Sequence, residues 1–536
     1  MQSYQYEDVW KSDKVIPQQQ SRYSYKKAAL LLILALTIVK AIVAFTMELG
    51  ADESYYWLYS QHLRSNYFDH PPMVAIWVRI FTANLSLQNS EGFIRLGSLI
   101  GCAISSWFIF KTGSVLHSEK AGFFGVCLYN VSFYAAVTAG LLIMPDSPQM
   151  VFYTLCLLMI ARISVNENSW SSWLLLGAAA GLCIMSKVHG VFIWVGLSTY
   201  TLFFKRSWLL KPQMWAALLL SLIITSPILL WNIKYDFITY RFHSDRVTID
   251  GNGVNISSFF KELLSQVFFN NPFNVLLTIT ALVVYAKRKT VRNEALAIYN
   301  LIGLPLAIVL LIISLFRDTT LPHWSGPGYV ALIPIAAIHL AKRNNDVLFP
   351  NIIKAGIVGF LLFIAGWMLV LYCYPGTYGS NNNIDLGRGD VTIEKYGRKE
   401  AGKAFANLYQ QEVSKGIMPA NAPVVYYKWW AAHIEYYFCR PYGINMISLG
   451  DIGDIRQYMW INNERKDKVN FSNAYCITPS DDIDDVMAHY SPYYSRIEQV
   501  NVIKNYRGGK PVRNFFIYRL SGWKNNLPTL DQLVKK

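Results

Sequence analysis

Two adjacent carboxylates, Asp52 and Glu53, follow the first long apolar run of this 536-residue chain, and the aromatic residues Tyr55, Tyr56 and Trp57 come soon after them. Neighbouring carboxylates near a membrane surface are costly, and one of them takes a raised pKa unless cations compensate. Such a pair can supply a general base and a partner carboxylate. The simpler alternative is the solvated start of a loop.

Three more charged positions stand at the ends of apolar runs. Asp69 and His70 precede the pair Pro71-Pro72, and Asp146 lies between two apolar runs. Asp146 is a candidate substrate-binding residue or, alternatively, an N-cap for the helix that follows it. Lys187, near the end of another run, is a candidate phosphate ligand or a lysine that snorkels to the membrane surface.

A cationic group, Arg241, His243 and Arg246, lies in a later polar segment, and His323 lies in another. More than one arginine is usual where phosphate is held. The chain has no Walker loop and no dinucleotide-binding glycine motif, so nothing in it indicates ATP or NAD.

The composition indicates a membrane protein. Hydrophobic residues make up 53% of the chain and charged residues only 15%, against about a quarter charged in soluble proteins. The deficit falls in residues 28–375, so we predict a cytoplasmic tail at 1–27, a membrane domain at 28–375 and an extramembrane domain at 376–536. The net charge of +15 comes largely from short clusters between apolar runs, which is typical of cytoplasmic membrane loops and not of nucleic-acid binding.

A membrane span needs about 20 apolar residues, and the sequence predicts about eleven spans. The candidates lie near 28–47, 93–112, 122–143, 147–164, 170–186, 189–204, 214–231, 273–286, 296–316, 327–341 and 351–374. With the N-terminus in the cytoplasm, alternation places the basic clusters at 205–211, 287–292 and 342–343 in the cytoplasm. The isolated charged residues described above all fall on the opposite face.

The first outer segment and the tail have patterns of their own. Residues 54–64 and 73–85 have amphipathic helical patterning and are too short to span, so we expect them to lie along the interface.

The tail combines a helical stretch at 398–415 with β-rich stretches at 423–427 and 515–519, which predicts a small α/β or α+β domain. Its aromatic residues, Tyr426, Tyr427, Trp429, Trp430, Tyr436 and Tyr437, form either a domain core or an acceptor contact. Cys439 and Cys476 are either free or paired.

The order of these motifs resembles the protein mannosyltransferase superfamily of GT-C glycosyltransferases, whose bacterial relatives include the aminoarabinose transferases that modify lipid A. The resemblance lies in Asp52-Glu53 after a first span, Asp69-His70-Pro71-Pro72, Asp146 in a short turn and Lys187 before a glycine. Pro322-His323-Trp324, followed by Pro327 and Tyr329, is similar to a Pro-Asn-Trp-Pro-x-Pro-x-Tyr pattern of bacterial members. His70 stands where aminoarabinose transferases have a lysine before Pro-Pro, so the subgroup and the sugar stay open.

The resemblance implies a mainly α-helical, polytopic GT-C bundle that transfers a sugar from a polyprenyl phosphate with inversion. Asp52 would be the base, with Glu53 beside it. The expected phosphate-binding residues are Lys187, His70, Arg241 and Arg246, and the expected substrate-binding residues are Asp69, Asp146, His243 and His323. A divalent metal is left open because some relatives bind one. The acceptor is a lipid, a glycan or a protein, at the outer side of the inner membrane.

Two other functions compete with this one. Intramembrane charges also mark the path of a transporter or flippase, although no inverted repeat or pair of broken helices is evident. A polymerase or ligase that uses a lipid-diphosphate donor would need similar cationic loops.

Overall fold

The computed structural model describes residues 23–245, 248, 253–287, 291–317, 322–344, 347–524 and 527. Its first part is helical. The helices are α1 (Tyr25–Thr46), α2 (Ala51–Gln61), α3 (Met73–Phe81), α4 (Glu91–Leu116), α5 (Glu119–Val131), α6 (Asp146–Val165), α7 (Trp170–Ser186), α8 (Phe192–Phe203), α9 (Pro212–Lys234), α10 (Ile238–Asp245), α11 (Ile256–Phe269), α12 (Pro272–Lys287), α13 (Val291–Ser314), α14 (Gly326–Arg343) and α15 (Asn351–Cys373). A π-helical segment, Tyr134–Thr138, follows α5.

Each of the eleven predicted apolar runs contains a helix, which confirms the helix-bundle prediction. Within the described ranges, seven helices are long and apolar enough to cross a membrane: α1, α4, α6, α9, α13, α14 and α15. The pair α11 and α12 passes the same test together but bends by 98°. The three remaining runs form the shorter helices α5, α7 and α8, so seven or eight spans meet the length criterion where eleven were predicted.

The segment 232–272, predicted only as an outer loop, contains the helices α10 and α11. The bend that follows α11 has a local cause. Asn271 adopts a positive φ of 67° and precedes Pro272, which disfavours helical backbone at the residue before it. The Asn271 side chain donates to the backbone oxygens of Val131, at 3.0 Å, and Gly356, at 3.3 Å. The bend is therefore fixed against two neighbouring helices.

The first outer segment forms α2 and α3, close to the two predicted amphipathic helices. Pro72 immediately precedes the first residue of α3, as expected for a proline that fits the start of a helix. α2 does not lie on an open interface, because nine of its eleven residues are buried.

The described part of the tail forms five α-helices and a five-stranded mixed sheet, which confirms the predicted mixture of helix and strand. The strands are β1 (Val424–Tyr426), β2 (Met446–Ser448), β3 (Asn473–Pro479), β4 (Tyr494–Arg507) and β5 (Lys510–Trp523), in the order β2-β1-β3-β5-β4. β1 is parallel to β2 and β3, and β5 is antiparallel to β3 and β4. The helices are α16 (Arg398–Ser414), α17 (Ala431–Ile434), α18 (Ile452–Ile455), α19 (Tyr458–Arg465) and α20 (Val486–Tyr490). Cys439 and Cys476 are both buried free thiols.

The tail packs directly on the first outer segment and covers α2. The Tyr437 hydroxyl accepts a hydrogen bond of 2.6 Å from the Leu49 amide, and the His433 ring lies 2.9 Å from the Leu49 carbonyl oxygen. Glu48 accepts a hydrogen bond of 2.8 Å from the Arg398 amide at the start of α16. Tyrosines of α2 and the tail share one buried apolar cluster. The two parts therefore enclose α2 between them.

Candidate active site

α2 has one exposed residue among its first ten, and that residue is Asp52. An amphipathic helix would expose a whole face, but the residues on all other sides of α2 are buried. Asp52 therefore opens into a recess between the membrane helices and the tail. Among the described residues Asp52 has neither a hydrogen-bond partner nor an ion-pair partner, whereas Glu53, Asp69 and Asp146 each have a cation.

The surroundings of Asp52 raise the pKa of its carboxyl group above the value in water. Burial by the surrounding protein and the nearby carboxylate of Glu394 raise the pKa of Asp52 to about 6, against the opposing effect of Lys395 and Arg456. Desolvation of a carboxylate disfavours its charged form, which explains the direction of this shift. At neutral pH Asp52 is therefore mostly ionised and yet a stronger base than an ordinary aspartate.

Glu53 has the opposite environment. Arg95 forms two bonds of 2.7 Å to its two carboxylate oxygens, and Lys395 adds a third of 2.8 Å. The amides of Gly50 and Ile143 also donate to it, at 2.9 Å and 3.1 Å. Burial alone would raise the pKa of Glu53, but Arg95 and Lys395 hold it well below its usual range. A carboxylate so fully engaged fixes the start of α2 and is poorly suited to accept a proton.

Arg95 joins the end of the first span to the site. It is fully buried, and besides Glu53 it donates to the backbone oxygens of Ala44, Met47 and Glu48 at 2.6–3.0 Å. These carbonyls lie at or just beyond the C-terminus of α1, where helix oxygens lack intrahelical partners. One guanidinium thereby holds α1, α2 and α4 together directly beside Asp52.

Asp69 is held by two side chains and presents its backbone to a third. Tyr59 donates to one carboxylate oxygen, and Arg456 from the tail donates to the other at 3.0 Å. The His243 ring on α10 lies 2.7 Å from the Asp69 carbonyl oxygen. Asp69 is 3% exposed, so in this state its carboxylate is occupied by protein groups.

Asp146 and Lys187, which are 41 positions apart, form a buried pair. Lys187 Nζ lies 2.9 Å from both carboxylate oxygens of Asp146, and the Tyr134 hydroxyl donates to one of them at 2.7 Å. Asp146 is the first residue of α6, and its side chain makes no capping bond. Lys187 is 3% exposed. The structure thus favours an inward-facing charged pair over the capping and snorkelling alternatives.

One tyrosine shows that these carboxylates converge. Burial raises the pKa of the Tyr56 phenol well above its ordinary value, and the charges of Asp52, Asp69 and Asp146 raise it further. Asp69 and Asp146, from two other segments of the chain, therefore lie near the same α2 side chain as Asp52.

A chain of aromatic rings connects this tyrosine to the region of Lys187. Tyr56 lies 5.6 Å from His70, His70 lies 5.9 Å from His243, and the Trp324 ring lies 6.2 Å from His243 and 4.9 Å from His189. His70 and His243 therefore lie in the same assembly, together with Trp324, the neighbour of His323. His189 has no place in the predicted set, although its neighbour Lys187 does.

The predicted arginines have a different placement. Arg241 is half-exposed and pairs with Asp236 at 2.9 Å. It lies on the side of α10 opposite Thr239 and His243, which contact residues 66–69. Arg246 lies outside the described residues. The phosphate-binding role of both arginines stays a prediction, and the position of Arg241 on α10 does not favour it.

Across the residues that the structure describes, no group of three or more His, Cys, Asp and Glu side chains is placed to hold a metal ion. The carboxylate oxygens of Glu53, Asp69 and Asp146 instead contact Arg95, Lys395, Arg456 and Lys187. These three carboxylates therefore have cationic side chains as their counter-ions.

Sequence reasoning missed four charged residues that organise the site. Arg95, within a predicted span, carried a usable signal, because an ionisable residue inside a span is usually paired and functional. Lys395, Glu394 and Arg456 carried none, since each is one charge among many in a segment that resembles a soluble domain. Only the packing of the tail over α2 brings them to Asp52.

Proteins that this chain resembles are described as glycosyltransferases. Residues 69–231 match the family described as dolichyl-phosphate-mannose-protein mannosyltransferase. The lipid A galacturonosyltransferase RgtD of Rhizobium johnstonii is 22% identical over 404 residues, which cover 74% of this chain and 81% of that protein. The crystal structure of ArnT from Cupriavidus metallidurans, bound to undecaprenyl phosphate, matches 92% of this chain and 99% of its own with a TM-score of 0.63 at 14% identity. The chain has the ArnT-like GT-C fold.

The apo structure of the same ArnT also matches, with a TM-score of 0.59 over 93% of this chain and all of that one. Because the match spans nearly the whole chain, it includes the tail as well as the helix bundle. The shared fold therefore covers both parts of the chain.

Proposed function

We propose that this chain is a GT-C glycosyltransferase that transfers one sugar from a polyprenyl phosphate to an acceptor hydroxyl at the outer face of the inner membrane, with inversion at the anomeric carbon. The observation that carries the proposal is the state of Asp52. It is the one carboxylate of the four described at the site that has no partner among the described residues, and its pKa is raised to about 6. A positioned base needs both an open lone pair and a matched pKa.

The proposed reaction is a single displacement at the anomeric carbon. The Asp52 carboxylate accepts the proton of the acceptor hydroxyl as the hydroxyl oxygen attacks the anomeric carbon. The bond from that carbon to the phosphate oxygen breaks, and its electron pair stays on the departing polyprenyl phosphate. Lys187 supplies positive charge where this negative charge develops, which is an effective form of transition-state stabilisation, and the neighbouring histidines can donate ring N–H hydrogen bonds.

The relatives support the donor and the acceptor class. ArnT has been crystallised with undecaprenyl phosphate, and RgtD is described as acting on lipid A. The best-supported pair for this chain is therefore a polyprenyl-phosphate sugar and a glycolipid acceptor. An outward-facing transferase needs a lipid carrier, because nucleotide sugars are cytoplasmic.

The direct test combines the purified protein with a panel of undecaprenyl-phosphate sugars and lipid A in detergent. The expected product is lipid A heavier by one sugar, with the anomeric configuration of the donor inverted in its NMR spectrum. Retained configuration would contradict the proposed single displacement. Movement of intact donor across vesicles without any product would support the flippase alternative instead.

Transfer is expected to depend on pH through Asp52. Because its pKa is raised to about 6, kcat/KM should be constant above about pH 7 and fall as the pH drops through about 6. Glu394→Gln is the matched control, since the glutamine oxygen can still accept the Ala51 amide bond of 2.9 Å while the charge that raises the Asp52 pKa is lost. Its acidic limb should lie at lower pH than that of the wild type, and a profile unaffected in both proteins would contradict the assignment.

Membrane orientation gives a further expected result. A reporter that is active only outside the cytoplasm should be active when fused after residue 536 and silent when fused near residue 289. The basic clusters between apolar runs carry this expectation, since such loops are retained in the cytoplasm. The reverse pattern would place Asp52 on the cytoplasmic side and would contradict the lipid-carried donor.

A further inference from the structure

The order of the strands in the tail reverses beside β1. β1 lies between two parallel neighbours, β2 and β3. The chain passes from β1 to β2 on one side and then crosses to β3 on the other side. Such a reversal opens a crevice beyond the carboxyl ends of the strands, where open parallel sheets commonly bind ligands.

Charged and aromatic residues from both strand ends meet in this strand-end crevice, which we define by Lys428, Trp429, Trp430, Asp482 and Asp484. Lys428 Nζ lies 3.1 Å from an Asp484 oxygen and 3.9 Å from an Asp482 oxygen. The same ammonium lies 5.9 Å from the centre of the Trp430 ring. The residues that follow β1 and those that follow β3 therefore form one cluster.

The crevice has hydrogen-bonding capacity that the described residues leave unused. Two carboxylates share one ammonium there, and Asp482 Oδ2 is buried without a hydrogen-bond partner in the described ranges. The Tyr427 hydroxyl, on the residue before Lys428, also lacks a hydrogen-bond partner in the described ranges, and the Tyr427 side chain is almost fully buried. Buried polar atoms are normally satisfied, so these two atoms are available to hydrogen-bond a polar ligand or water.

The aromatic residues connect the crevice to the recess of Asp52. Trp430 is 37% exposed, and its ring stands nearly perpendicular to that of Trp429, 5.8 Å away. Trp429 lies 5.0 Å from Tyr55, one helical turn from Asp52 on α2, and the Arg456 guanidinium lies 4.7 Å from its ring. A molecule bound on Trp430 is therefore adjacent to the residues that line the site.

We infer that the strand-end crevice binds the sugar headgroup of the acceptor, and that it selects uncharged sugars or amino sugars. An exposed indole ring offers a flat apolar surface for the C–H face of a sugar ring, while the free carboxylate and phenol oxygens bond to its hydroxyls. The surplus negative charge disfavours acidic sugars. Only the identification of this sugar as the acceptor rests on the proposed function.

Saturation-transfer NMR on the purified full-length protein tests the inference with three soluble probes: chitotriose, the deacetylated chitosan trimer and trigalacturonate. The first two should bind and the acidic trimer should not. Trp430→Ala should weaken chitotriose binding by about tenfold or more, the usual effect of truncating a central aromatic contact. Tyr442→Ala is the matched control, because Tyr442 has the same 37% exposure and lies outside the crevice. Asp482→Asn combined with Asp484→Asn should admit trigalacturonate.

The outcomes separate this inference from the proposed function. Asp52→Asn should keep normal chitotriose binding even though transfer is lost. Unchanged chitotriose binding in Trp430→Ala would overturn the sugar site whether or not transfer occurs. Displacement of the trimer by a lysine-rich peptide at lower concentration would overturn it too, since the crevice would then be a peptide site. Normal transfer by Asp52→Asn would refute the base while leaving the sugar site supported by the probes.

Discussion

Asp52→Asn is expected to reduce turnover about a thousandfold, within the range for loss of a general base. The amide is nearly the same size as the carboxylate but cannot accept the acceptor proton. Because Asp52 has no hydrogen-bond or ion-pair partner among the described residues, the change leaves no cation there without its partner. Donor binding should stay close to that of the wild type, as measured with a polyprenyl-phosphate sugar. Near-normal turnover in a folded variant would rule out Asp52 as the base.

The same variant is expected to be more stable than the wild type at neutral pH. In the folded protein the pKa of Asp52 is about 6, against an ordinary value of 3.8 for an aspartate in water. Between these values the native state binds more protons than the unfolded state, so its stability falls as the pH rises. Asparagine stays neutral, so the Tm difference between variant and wild type should grow from pH 4 to pH 7. A lower Tm for the variant at pH 7 would contradict the raised pKa.

The helix bundle could be predicted from the sequence because apolar runs of about 20 residues form membrane helices almost regardless of context. Residues near the outer ends of these runs could be predicted to converge, because parity assigns them to one face. This reasoning identified Asp52, Asp146 and Lys187 as candidates. It could not show that Asp146 and Lys187 contact each other, since nothing in the 40 intervening residues encodes that distance.

The contribution of the tail to the site was beyond prediction. The tail was expected to contact the acceptor at most, yet Lys395 and Arg456 neutralise Glu53 and Asp69. Docking of a soluble-type domain depends on shape and on many weak contacts, which leave no periodic signal in the sequence. The sequence also could not divide the aromatic residues at 426–437 between the core and the surface. The four tyrosines are buried, as a core requires, whereas Trp429 is half-buried and Trp430 is exposed.

Lys187 is the subject of the second large effect. Loss of one positioned group that stabilises developing charge costs about 100- to 1000-fold in turnover, and Lys187→Ala should lose at least that much. The pair with Asp146 complicates this measurement. Removing one partner of a buried ion pair destabilises a protein by about 3–5 kcal/mol, so the alanine variant alone does not separate catalysis from folding.

The double variant Lys187→Met with Asp146→Asn separates the two. It removes both charges and keeps similar volumes, and replacing a whole buried pair in this way is often close to neutral for stability. If Lys187 stabilises the departing phosphate, the double variant should melt near the wild-type temperature and still lose about 100-fold or more in turnover. If the pair only joins α6 to the end of α7, the double variant should turn over almost normally.

Lys187→Arg then reports on geometry. It keeps the charge and the Asp146 pair, but a planar guanidinium replaces a compact ammonium. Partial recovery of turnover, with a Tm close to that of the wild type, is expected if charge at this point lowers the barrier. Asp146 already holds the Lys187 ammonium at 2.9 Å from both carboxylate oxygens. A cation that fits at this position is therefore oriented before the donor binds. Full activity in the double variant together with low activity in the arginine variant would show that fit, and not charge, is what the reaction needs at position 187.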